Sequence, residues 1–181
     1  MKIKAKPLVF IVLMGVAGNI LGFYSIPLPI PLVNVAFTLS QLPALFTAIY
    51  VGSLEGGIVG FLSTIASTVL FIKNPFVPFG NFILAFATGY FYRHTFVRKK
   101  ISVIPSCILG EIVETPFIWL TVIIWSGLVL GIQINILVPI IVLINIKAFL
   151  EIAIDAALLE IMLPYFEKFL GNIKEELKII H

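Results

Sequence analysis

Long apolar runs follow one another from Pro7 to Leu163, broken only by short proline-bearing or basic segments. A chain patterned in this way has too little polar surface for a water-soluble domain. Sixty per cent of its residues are hydrophobic, only 12% are charged, and the mean hydropathy is +1.15. A hydrocarbon layer of roughly 30 Å is crossed by about 20 helical residues, so a chain of this length has room for about six spans. The runs predict an all-α membrane protein: one compact bundle of six transmembrane helices at about 7–24, 37–52, 54–72, 79–93, 101–126 and 136–163. Residues 1–181 form a single domain in this reading, with 164–181 an amphipathic tail at the inner surface.

Orientation follows from the cations. Lys2, Lys4 and Lys6 precede the first span, and Arg93, Arg98, Lys99 and Lys100 lie between the fourth and fifth. Lys168, Lys174 and Lys178 lie in the tail, while Lys73 falls on the opposite side. By the positive-inside rule both termini are cytoplasmic, and the chain is a multi-pass protein of the cell membrane. The same placement accounts for the net charge of +3 without a nucleic-acid partner. Pro27, Pro29 and Pro31 forbid a regular helix after the first span and predict a stiff extended segment outside the cell, ending near Asn34.

Charges within the spans narrow the search for function. Lys147, Glu151 and Asp155 recur every four residues and form one polar stripe on the sixth helix. Glu111 and Glu114 lie on the fifth helix at a depth similar to that of Lys147, which is expected to face one of them. A charge at mid-membrane is costly and normally faces a protein interior or cavity, so Glu111, Glu114 and Lys147 are candidate substrate-binding residues. Asn34, Asn81 and Asn145 join them as polar groups near the same level, although asparagines also serve as glue between helices. Glu151 and Asp155, nearer the cytoplasm, are expected to be structural or partner-facing, and Lys147 and Glu151 also have the spacing of a self-neutralising pair. Trp119, outward of Glu114, is a candidate for stacking on a flat heterocycle, whereas Trp125 suits an interface anchor.

Small residues form a second pattern. Gly18 and Gly22 on the first helix, with Gly52, Gly56 and Gly60 entering the third, allow another backbone to approach closely and are candidate partner-docking positions. Other chemistry is missing from the sequence. There is no phosphate-binding glycine loop, no dinucleotide fingerprint and no histidine–carboxylate cluster, so neither a metal nor an organic cofactor is expected. Cys107 stands alone, which excludes a disulfide within the chain. The chain is read as a binding subunit and not an enzyme.

Gln41-Leu-Pro-Ala-Leu45, then Tyr50-Val-Gly-Ser-Leu-Glu-Gly-Gly-Ile-Val-Gly-Phe-Leu-Ser63, followed by a short proline-bearing outer loop and Gly80 to Gly89, resemble the S components of energy-coupling factor (ECF) transporters. Ser53 stands where that pattern usually has proline, and Gly18-x-x-x-Gly22 is the nearest equivalent of its alanine motif on helix 1. The resemblance implies six helices and an outward-facing pocket made by the first outer loop and helices 4 to 6. It also implies a vitamin or vitamin precursor as substrate, and docking onto a transmembrane coupling protein driven by two ATP-binding cassette ATPases. Two other readings remain open on the residues alone. One is a non-transport scaffold subunit of a membrane complex, with the charges as structural pairs. The other is a small intramembrane enzyme using the surplus carboxylates.

Overall fold

The computed structural model describes residues 5–28, 35–96 and 103–170. Asn34, the basic residues beyond Phe96 and the tail beyond Leu170 lie outside them. The first helix, α1, spans Ala5–Phe23. A short antiparallel pair follows, β1 (Ile26–Leu28) and β2 (Val35–Phe37), in register Ile26 to Phe37 and Leu28 to Val35. Next comes α2 (Leu42–Tyr50), nine residues long and shorter than the span expected at 37–52. At about 1.5 Å per residue it reaches only about 14 Å, less than half the hydrocarbon thickness. The strand pair and the connector after it take the place of its outer half.

Helix α3 runs over Ser53–Ser63, breaks at Thr64, and resumes as Ile65–Ser67 and a π-wound turn, Thr68–Ile72. Helix α4 covers Val77–Phe91 and continues π-wound through Phe96. Helix α5 covers Val103–Val122 and likewise continues through Val129. The last helix, α6, spans Ile134–Leu170, is continuous through Pro139 and Pro164, and at 37 residues, about 55 Å, is longer than a bilayer core. Among the described residues, four helices are long and apolar enough to cross a membrane: α1, α3, α5 and α6.

Helix α3 packs along α1, α2 and α4; α4 packs on α5 and α5 on α6, while α6 returns to α2 and β2. Lipid tails are as apolar as the helices, so close packing and polar contacts between helices hold such a bundle together, not withdrawal from water. The glycines serve that purpose. A methyl group on Gly18 would strike Ser63 of α3, one on Gly56 the backbone of Ala48, and one on Gly60 the carbonyl of Asn81. Two apolar layers result. Leu45, Ile49, Leu84, Ile152 and Leu159 fill the end of the bundle near the α2–α3 turn, and Val122, Leu137 and Ile141 form a smaller layer at the other end.

Asn19 resolves the break in α3. Its amide nitrogen donates to the carbonyl of Leu62 at 2.7 Å and to that of Gly15 at 2.9 Å, and its amide oxygen accepts from the backbone N–H of Ala66 at 2.9 Å. A broken helix inside a membrane needs such partners, because no water is there to meet the freed backbone groups. Replacing Asn19 with Leu is expected to destabilise the bundle by about 1–3 kcal/mol, the cost of leaving buried backbone groups unsatisfied. Thermal unfolding in detergent checks this, and an unchanged midpoint would show that Asn19 does not hold the break.

Candidate functional site

Between the two apolar layers lies a cavity of about 370 Å³. It sits at the end of the bundle where the β1–β2 pair, the α3–α4 loop and the α5–α6 turn gather, away from the α4 end that carries Arg93 and His94. Ala36 of β2 and Gln41, just before α2, close one side; Lys73, Asn74 and Phe76 of the α3–α4 loop close another. Helix α4 contributes Gly80 and Asn81. Helix α5 contributes Glu111 and Glu114, then Phe117, Ile118, Thr121 and Trp125 one above another. Helix α6 completes the wall with Ile144, Lys147, Ala148 and Glu151.

The polar lining is unbalanced. Glu111 is 1% exposed, Glu114 5% and Glu151 fully buried, against Lys147 as the single cation on the membrane-spanning walls. Lys147 Nζ lies 2.5 Å from Glu151 Oε2. The other oxygen of Glu151 accepts a 2.6 Å hydrogen bond from the backbone N–H of Thr38, in the connector between β2 and α2. This pair therefore ties α6 to the segment that replaces the outer half of α2. Both carboxylate oxygens of Glu151 are engaged, and the lysine is neutralised where it stands.

The remaining acceptors are free. Glu111 Oε1 is buried without a hydrogen-bond partner. Asn81 donates from its amide nitrogen to the carbonyl of Val77 at 3.2 Å, which turns its amide oxygen the other way, buried and unpartnered. Gln41 Oε1 is buried and unpartnered as well. Glu114 lies over Gly80, where a Cβ would come 2.6 Å from its Oε1; glycine leaves that carboxylate its room. Asp155, one turn beyond Glu151, is fully buried with both oxygens unpartnered, yet it is not part of the cavity wall.

The structure thus brings Glu111, Glu114, Lys147 and Asn81 together. Trp119 and Asn145 lie elsewhere, in a second, apolar groove between α5 and α6, with Trp119 41% exposed. Helix geometry gives the reason. Trp119 is turned about 140° from Glu114 on an ideal helix, whereas Trp125 falls within about 20° of it. Asn145 is turned about 160° from Lys147. Trp125 lines the cavity, and it was the helical period, not depth alone, that distinguished the two tryptophans. Gln41, Thr38 and Glu151 likewise carry no sequence signal that assigns them to the site, because their roles depend on a connector folding inward. The five glycines Gly18, Gly22, Gly52, Gly56 and Gly60 are all buried within the bundle: Gly22 faces Ser40 and Ser67, Gly52 meets Glu55, and the others are placed as described above. Among the described residues, no group of three or more histidine, cysteine or acidic side chains is gathered to hold a metal ion.

No protein-family model matches the sequence, and no curated protein does. A solved structure does: that of the S component of a bacterial ECF transporter, 20% identical, with a TM-score of 0.65 over 91% of this chain and 97% of that one. Almost the whole of each chain is matched, and the chain has the fold of an ECF S component.

Proposed function

We propose that this chain is the substrate-capture subunit of an ECF-type uptake transporter, taking a small water-soluble vitamin or vitamin precursor into the cavity between α4, α5 and α6. The observation that carries this reading is a cavity at membrane depth, open on one side and largely apolar, whose wall holds buried polar groups that have no partner in the bundle. A charge or acceptor costs free energy at that depth, and a ligand that supplies the missing partner offsets it. The positive-inside rule sets the Arg93 end in the cytoplasm and the cavity end outside, so the pocket faces outward and both termini lie inside the cell. ATP hydrolysis falls to separate subunits, a transmembrane coupling protein and two ATP-binding cassette ATPases. The small-residue positions on α1 to α3 act first by holding those helices in the orientation that such a partner meets.

Native mass spectrometry of the purified protein tests the proposal. A small organic molecule retained by the folded chain and lost on unfolding is expected, together with co-purification of the coupling protein and ATPases. Absence of any bound or bindable small molecule, with co-purification of a different membrane assembly, would instead establish the scaffold reading.

A further inference from the structure

The cavity has a chemical bias, and that bias defines the ligand. Its one lysine on the spanning walls is not available to an anion: Lys147 is held by Glu151, and Glu151 is held in turn by Thr38. Freeing the lysine would strand a buried carboxylate, the costly way to break an ion pair. A second lysine, Lys73, lines the cavity only from the α3–α4 loop, so what the spanning walls offer a ligand at depth is acceptors. Glu111 Oε1 and Asn81 Oδ1 are buried on groups 1% and 5% exposed, both unpartnered, and Gln41 Oε1 is a third. Glu114 adds a second carboxylate on the same wall. Above them the rings of Phe76, Phe117 and Trp125 offer flat apolar surfaces. These surfaces favour a planar partner and, through the negative faces of the rings, a positive one.

We infer that the substrate is a flat, cationic heterocycle bearing two or more N–H donors on one edge, bound by Glu111 and Glu114 with Asn81 and stacked among Phe117 and Trp125. Charge-assisted hydrogen bonds to carboxylates at this depth are the strong kind, and a bidentate edge suits paired acceptors. A volume of about 370 Å³ lies at the lower end of the range for small-molecule pockets, roughly 300–1,000 Å³, which limits the ligand to one or two rings. Discrimination against anions comes from the same two carboxylates, which would face a like charge. The inference rests on the transport reading of this cavity, and it fails separately from it.

Three planar probes of nearly the same size and shape but different charge test it: benzamidine (cation), benzamide (neutral) and benzoate (anion), titrated into the purified full chain at pH 7. Benzamidine is expected to bind at least tenfold more tightly than benzoate, with benzamide between them. Glu111→Gln keeps the shape and an acceptor but removes the charge, and it is expected to bring the amidine to within about threefold of the amide. If that variant does not fold, Glu114→Gln carries the same expectation. A merely structural role for these carboxylates would lower all three affinities together. Benzoate binding as tightly as benzamidine would overturn the inference, as would no binding of any probe by protein that retains a natural small molecule. Failure to retain or bind any small molecule overturns the transport reading itself.

Discussion

Glu151→Gln is expected to destabilise the folded bundle by about 1.5–3 kcal/mol, because it removes the charged partner of Lys147, which is 17% exposed on the cavity wall. The substitution also weakens the acceptor for the Thr38 N–H, so the connector between β2 and α2 loosens from α6. Lys147→Met strands Glu151 and is expected to cost a similar amount. The double variant, Lys147→Met with Glu151→Gln, removes both charges and is expected to cost clearly less than the sum of the two, since an apolar or neutral replacement of a whole buried pair is often close to neutral. Cys107 gives the readout: it is fully buried, so its alkylation reports opening of the bundle. Glu151→Gln should label faster than the parent at every temperature, and the double variant should recover most of the protection. Strict additivity would mean that the two groups do not stabilise one another, and the proposed tether would be wrong.

Gly60→Leu is the second large effect. A Cβ at Gly60 would collide with the backbone carbonyl of Asn81, which no side-chain rotation can relieve, so α3 and α4 must move apart. Overpacking of this kind costs about 1–3 kcal/mol. Its larger consequence is functional, because Asn81 and Gly80 lie where the displacement falls and both line the cavity. Ligand affinity is therefore expected to fall more than tenfold in protein that remains folded by the Cys107 criterion. Gly131→Ala serves as the comparison. Gly131 also matters to the backbone, with a φ of 70°, but nothing lies within 4 Å of it, and it borders the cavity only through its neighbour Leu130. Its substitution should strain the α5–α6 turn and lower affinity far less than Gly60→Leu does. Equal losses of affinity at the two positions would refute the link between the glycine contact and the site.

Much of this architecture is legible in the residues. The apolar runs locate the helices because a bilayer requires about 20 apolar residues per span and hydrogen-bonded backbone throughout. Glu111, Glu114 and Lys147 identify themselves by depth, since charges there are expensive and must face one another or a cavity. The shortness of α2 is not legible: Phe37 to Gln41 holds no proline, glycine or charge to stop a helix, and only its pairing with β1 and the reach of Thr38 to Glu151 take it out of one. Nor is the role of Asn19, which depends on α3 breaking opposite it.

Taken alone, the sequence determined how many helices there are, which residues are too polar to face lipid, and where backbones can approach closely. These are local quantities, set by each residue's transfer energy and volume. Only the tertiary structure decided the partnerships. It gave Lys147 to Glu151 and not to Glu111 or Glu114, turned Trp125 inward and Trp119 outward, and engaged the glycines of α1 and α3 within the chain. A lysine at mid-membrane accepts any carboxylate within reach, and a glycine accepts any backbone that fits. Which one arrives depends on helix rotation and on a connector folding in from far along the chain, neither of which is encoded at the residue that receives the contact.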